Sequence, residues 1–574
     1  MKLAIKPATG LAVLLAALSL GAPADFAAAA LFGAAPSLAA DTHAAASATV
    51  SAPKICAQPN DAVREYAAVI ERTRKEQPEL AEALRVFPKG ADLHNHLSGS
   101  IPPEKYLTLG GADGACYGPD GGADSYTLNG GTSSGGCGAG FSPISGASAA
   151  ERERIMESLS MYRFGYPDTQ QGHDHFFATF ARFRAVSDNA CNTAPMLAEV
   201  LRQSSQDGVS HLETMLSFQS SAVNALARQL RQKFPEEAAY RDERRFPALR
   251  DFLVDAGLND TVAAARTEIA QYVNKTRTLL KCDSPDAEPA CGVSYAFLAT
   301  VNRTSAQGDG SPDLAKVFTQ AAFSMLLSSS EGRVVGVNLL SKEDTAVSLA
   351  AFQDQMRIFG YFHEAFPKVN IALHAGELTP CFVGAGNPAL KEHLTGTLKA
   401  GAKRIGHAVS FAFLKQAEQS EVADLIRRSD ALVEIMFTSN AQILGITGIK
   451  HPFQQYRAYG VPVAFASDDE GVSHANLTDE WIYAYQNYRL TRDELQYLGR
   501  NSLQYSFIPG APLWADVAKG KTVNACAGDS PGSATMSKGC GRFLKESARA
   551  TAQWEYEARL KEYWRGYGKY FGKR

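Results

Sequence analysis

Residues 89–96 read Lys89-Gly90-Ala91-Asp92-Leu93-His94-Asn95-His96, a short apolar run that closes on two histidines. Seven further runs share this form, apolar and β-rich with a polar end: Val209–Met215, Tyr295–Asn302, Val334–Leu340, Val369–His374, Arg404–His407, Leu432–Phe437 and Val461–Ala466. Helical periodicity fills most of the gaps, as in Met196–Gln206, Asp313–Ser328, Thr345–Phe366 and Gln416–Arg428. Strands alternating with helices predict a parallel α/β fold. Eight of them, counting Ala91–His96, favour a closed TIM-type (β/α)8 barrel over a doubly wound open sheet.

Working outward from 89–96, a helical pattern from Asp61 to Val86 precedes the first strand. The chain therefore divides into an N-terminal helical extension over 41–86, a barrel over 87–510 and a C-terminal loop and helix over 511–574. Gly110–Ala150 is rich in Gly, Ser and Asp and almost without hydrophobic periodicity. It follows the first strand, on the face where a barrel carries its chemistry, and reads either as a lid or as a decoration pinned by Cys116 and Cys137. The charged segment Glu236–Arg250 reads as surface. In the helical pattern Arg542–Tyr570, the aromatics Trp554, Tyr556, Tyr563 and Trp564 read as packing on the barrel exterior, with a homodimer contact as the alternative.

Composition narrows the class. Of 574 residues 45% are hydrophobic and 20% charged, the balance of a core-forming globular chain rather than a disordered one. A net charge of −3 and the lack of a basic run give no electrostatic case for a nucleic-acid partner. Lys2 and Lys6 followed by the apolar run Leu11–Leu20 predict a signal peptide over 1–40, with cleavage after Ala39 or Ala40, or earlier near Ala24. Gly21, Pro23 and Asp25 interrupt the apolar stretch, which argues against a stable membrane span. The mature protein is then exported, to a periplasm or outside the cell. In such a compartment Cys116/Cys137, Cys282/Cys291 and Cys526/Cys540, each close in sequence, read as three local disulfides. An odd count of nine leaves at least one thiol over, and no C-x2-C spacing suggests cysteine-bound zinc.

Four stretches carry chemistry. Alternate strand residues share a face about 7 Å apart, so His94 and His96 both point into a barrel mouth. Ile371-Ala372-Leu373-His374-Ala375-Gly376-Glu377 runs into a histidine, and Gly376 permits a tight turn that returns Glu377 over the pocket. Arg404-Ile405-Gly406-His407 ends in a histidine, and Val463-Ala464-Phe465-Ala466-Ser467-Asp468-Asp469 ends in paired carboxylates. Such a pair is costly unless a cation or hydrogen bonds stabilise it; a helix N-cap pair is the plainer alternative. All four fall at the C-terminal ends of predicted strands. Together three histidines and one aspartate from these stretches form an N/O donor set suited to one Zn²⁺ with a position left for water.

KGADLHNHLSGS, HAGE, RIGH and SDD, in this order and at these separations, resemble the adenosine deaminase family of metal-dependent amidohydrolases. HDHFFATFARF, DGVSHLETM, VVGVNLLSKED and TSN resemble its intervening segments, so that the likeness runs from about Phe87 to Gly499. The leader and cysteines resemble the secreted, growth-factor-like branch. The resemblance implies that His94, His96, His374 and Asp468 bind zinc and that Glu377 donates a proton to purine N1. It further implies that His407 orients and helps deprotonate the attacking water, that Asp469 hydrogen-bonds purine N7, and that adenosine or 2′-deoxyadenosine is the substrate. Ser98, Ser341 and Glu470 depart from the family pattern, which often has Asp, Gly and Pro there. Ser98 and Ser341 are the positions expected to touch sugar and base.

Three other readings stand beside this one. The substrate could be adenine, an adenine nucleotide with Lys342 or Arg303 on its phosphate, or another purine. The barrel could bind a purine without turnover. A two-metal amidohydrolase would need a bridging lysine, for which Lys342 is the nearest candidate.

Overall fold

The computed structural model describes residues 60–121, 125–131 and 136–571. The signal-peptide prediction over 1–40, and Cys56, lie outside the described residues. Eight strands form the barrel: β1 Gly90–His96, β2 Val209–Leu216, β3 Ser294–Asn302, β4 Val334–Leu340, β5 Asn370–Ala375, β6 Arg404–His407, β7 Leu432–Ile435 and β8 Val463–Phe465. They pair in parallel, each with its neighbour in that order. Closure comes just beyond β8, where Asp468 N donates to His94 O at 2.9 Å and His96 N donates to Asp468 O at 3.1 Å. These bonds bridge the first strand to the last and place Asp468 beside both β1 histidines.

The strands are rich in Val, Ile, Leu and Ala and buried almost throughout, as parallel strands sheathed by helices must be. Their ends have local causes. Pro462 has no N–H to give, so β8 starts at Val463 rather than Val461. A helix starting at Phe437 cuts β7 at Ile435. Inside the barrel a polar layer closes the floor. Arg404 donates to Glu213 at 2.6 Å, lies 2.7 Å from Glu434 and stacks on the Phe507 ring at 3.8 Å.

The pattern over Asp61–Val86 is two helices, Asp61–Glu76 and Pro78–Arg85. The break falls at Gln77 (φ −135°), because a residue before proline is pushed out of the helical region. The C-terminal pattern is likewise two helices, Lys538–Glu546 and Ala548–Tyr567; Ser547 leaves helical geometry and its hydroxyl caps the second. Trp554, Tyr556 and Tyr563 are buried within the chain, and Trp564 packs 5.8 Å from Phe87. The three expected disulfides are present, Cys381 is also disulfide-bonded, and Cys191 is free and exposed.

The insertion differs from expectation. It folds as a three-stranded antiparallel sheet of Cys116–Pro119, Tyr126–Asn129 and Ser142–Pro143, tied by Cys116–Cys137. Strands this short leave no readable alternation, and buried Tyr117 and Leu128 supply their anchorage. The sheet packs through Tyr126–Asn129 on the helices Ala149–Leu159, Thr169–Arg182 and Arg184–Ser187. No described helix is long and apolar enough to cross a membrane.

Candidate active site

The strand-end residues singled out by sequence converge at the C-terminal mouth of the barrel. His374 Nε2 lies 3.0 Å from His94 Nε2 and 3.2 Å from His96 Nε2. Asp468 Oδ1 lies 3.7 Å from His94 Nε2 and 3.4 Å from His96 Nε2. Donors on a tetrahedron with bonds of about 2.0–2.2 Å stand about 3.3–3.6 Å apart, so these four separations are close to what a single small divalent ion needs. His94, His96 and Asp468 form one group able to hold a metal ion, with His94, His374 and His407 a second that shares His94. Repulsion between facing lone pairs and burial of the carboxylate would make the cluster costly without a cation.

Two of the histidines are aimed by their other nitrogen. His94 Nδ1 donates to Glu434 at 2.7 Å, and His374 Nδ1 donates to Asn338 Oδ1 at 2.9 Å, leaving both Nε2 lone pairs turned to the common point. Burial first, and then the charges of the neighbouring histidines, hold His374 well below the usual imidazole range, in the neutral form that ligates. Close packing fixes the geometry further. A Cβ on Gly406 would meet His94 Cε1 at 2.5 Å. Ser341, His407 and Asp468 all adopt positive φ (91°, 69° and 60°), strain that the surrounding structure must hold in place.

Glu377 is buried, and burial raises its carboxyl well above the usual range, reinforced by Asp468, Glu343 and Asp344 and opposed by Arg303. His407 Nδ1 stands 3.7 Å from Glu377 Oε1 and 3.1 Å from Asn440 Nδ2, and Asn440 Oδ1 is in turn 3.1 Å from His451 Nε2. Burial pushes His407 down to about 3, so its ring is neutral. Asp469 is buried with Oδ1 unpartnered among the described residues, and burial followed by the Asp468 charge raises its pKa. Gly99 makes room for that carboxyl: a Cβ there would stand 1.5 Å from Asp469 Oδ1.

A cavity of about 640 Å³ opens onto this cluster, with His96, His374, Glu377, His407, Asp468, Asp469, Ser98 and Ser341 in its wall. Phe176, Phe177, Phe180 and Phe183 form an apolar side. No described residue of 110–150 lines it; the insertion instead buttresses the helix Thr169–Arg182 that does. Lys342 and Arg303 are also absent from the wall. Lys342 lies 5.0 Å over the Phe177 ring, and Arg303 is buried beside Glu343 at 3.3 Å. Glu343, Asn338, Glu434, Asn440 and His451 were not marked by the sequence. Asn338 and Glu434 did carry a signal, being lone polar residues inside apolar strands.

The family model for adenosine deaminase matches residues 155–512, more than half of the chain. It begins after β1 and the insertion. Among curated relatives, the adenosine deaminase of Enterococcus faecalis is 30% identical over 141 residues, covering 24% of this chain and 37% of the relative. That of Plasmodium falciparum is 28% identical over 163 residues, covering 28% and 40%. The aligned part thus spans well under half the length of these relatives. Among solved structures, the apo N6-methyl-AMP deaminase of Arabidopsis thaliana is 17% identical with a TM-score of 0.46, over 75% of this chain and 94% of that one. With the family match spanning most of the barrel, the chain belongs to the adenosine deaminase family.

Proposed function

We propose that the protein is an exported, zinc-dependent deaminase that hydrolyses adenosine and 2′-deoxyadenosine to inosine and 2′-deoxyinosine with release of ammonia. The observation that carries this reading is that His94 and His96 each stand within 3.0–3.7 Å of both His374 and Asp468, beside a buried Glu377 whose carboxyl is pushed well above the usual range. Those four side chains would hold a zinc ion, and it would supply the Lewis acidity that makes water nucleophilic at neutral pH. Neutral His407 orients that water and accepts its proton as oxygen bonds to purine C6. Glu377 gives its proton to N1, drawing electron density out of the ring. The proton held by His407 passes to the amino group, which leaves as ammonia as the C6–N6 bond breaks, and the C6 hydroxyl returns its proton to Glu377 as the product carbonyl forms. Asp469, with an unpartnered oxygen, hydrogen-bonds N7 in its protonated form. Ser98 and Ser341 stand in the cavity wall, which supports their contacts to sugar and base.

A nucleoside is favoured over a nucleotide by charge. Arg184 is the one cation in the described wall, and Asp188 and Glu268 oppose it there. Three disulfides support export to an oxidising compartment, periplasmic or extracellular. The test is ammonia release from adenosine, 2′-deoxyadenosine, adenine and AMP, with and without a chelator. Turnover of the two nucleosides that chelation abolishes and zinc restores is expected. Preference for AMP or adenine would overturn the substrate assignment, and chelator-resistant turnover would overturn the metal.

A further inference from the structure

The stretch His374-Ala375-Gly376-Glu377 joins a metal-ligand candidate to the proton donor, and its backbone is gripped from both sides. Arg303, just past the end of β3, is fully buried. Its Nη2 donates to the carbonyl of His374 and, at 3.3 Å, to that of Leu339. Glu343, beyond the end of β4, receives Gly376 N on Oε1 at 3.0 Å and Glu377 N on Oε2 at 2.7 Å. Arg303 Nη1 stands 3.3 Å from Glu343 Oε1, which also accepts from His393 Nδ1. His393 is fixed by stacking on Phe352 at 3.8 Å, and the carbonyl of Arg303 is held by Gln355 Nε2 at 2.9 Å. The turn itself has no slack: Gly376 has φ +72°, and a Cβ there would meet Ser410 Oγ at 2.6 Å.

Neither Arg303 nor Glu343 lines the cavity, so neither touches substrate. A buried ion pair is weak evidence for stability, but removing one partner leaves an uncompensated buried charge, so both charges must keep their partners. We infer that Arg303 and Glu343 are positioning residues that clamp the backbone from His374 to Glu377 and thereby set the proton donor's place relative to the metal centre. The inference rests on the role proposed for Glu377. A displacement of about 1 Å at a reacting group costs on the order of 10²-fold in rate, which is the scale on which this clamp acts.

The test is a cycle of Glu343→Gln, Glu377→Gln and the double variant, with kcat, KM and bound metal measured for each. A glutamine at 343 accepts one N–H but turns its own NH2 at the other. Glu343→Gln should lower kcat about 10²-fold and leave KM within about 3-fold, with bound metal retained. On the Glu377→Gln background the same substitution should change kcat less than about 3-fold, because residues acting as one unit are not additive. Equal losses on both backgrounds, or a wild-type kcat in Glu343→Gln, would overturn the clamp. Should Glu343→Gln fail to fold, Glu343→Asp keeps the charge, withdraws from one N–H and runs through the same cycle with the same expectations. A crystal structure of the variant reads the clamp whatever the substrate proves to be. Glu377 displaced by about 1 Å from the His374 side chain is expected, and an unmoved Glu377 overturns the inference. An inactive wild type alongside a displaced Glu377 would count against the proposed function alone.

Discussion

The barrel mouth and the insertion after β1 are built on opposite principles. At the mouth, His94, His374 and Asp468 come from strands far apart in the chain, and each is held by a partner from yet another strand or strand end: Glu434 and Asn338 for the histidines, β1 backbone for Asp468. In the insertion the contacts are local. Cys116 is joined to Cys137, 21 residues on, and the sheet rests on the helices that follow it. Chemistry here depends on long-range placement of buried polar groups, whereas the insertion is a self-tied block that props the helix Thr169–Arg182. The comparison breaks if damage to the insertion disables the mouth, or if the mouth tolerates loss of its buried partners.

The largest effect is expected at Glu377. Glu377→Gln should lower kcat by about 10²–10⁴-fold while bound metal stays at the wild-type level, measured by steady-state kinetics and elemental analysis. Near wild-type turnover would remove the proton donor. The pH profile sharpens the same point. The proposed donor acts when protonated and its pKa is raised, so wild-type kcat should fall as pH rises through that raised value, above the usual carboxylate range. The variant's residual rate should lack this alkaline limb. A middle-sized effect is expected at Glu434, which aims His94: Glu434→Gln should weaken metal binding by about 10–100-fold in a competition titration. Unchanged affinity would mean that His94 needs no such aim.

The smallest effect on activity belongs to the insertion. Removing Cys116–Cys137 by paired Ser substitution should cost about 3 kcal/mol of local stability, seen as faster amide exchange over 116–143. The value of kcat should stay within about 2-fold. A large rise in KM would instead mean that this sheet covers the substrate.

The same contrast explains what the sequence could disclose. A barrel strand is an apolar run with a polar end, so all eight were legible, and His94, His96, His374, His407 and Asp468 were legible as their ends. Their limits were less so, because Pro462 and the helix opening at Phe437 trim β8 and β7 locally. The insertion's strands are two to four residues long and carry no period to detect. It also separates β1 from the rest, and the family match starts only at residue 155, so the two β1 histidines were recovered from their strand and not from that match. Glu343, Asn440 and His451 stayed hidden because each acts through a contact that only the closed barrel creates.

The most direct test is a crystal of the purified protein measured for anomalous scattering at the zinc edge. One peak about 2.0–2.2 Å from His94 Nε2, His96 Nε2, His374 Nε2 and Asp468 Oδ1 is the predicted result. Two ions at the mouth, or a zinc-supplemented crystal with no ion there, would contradict it.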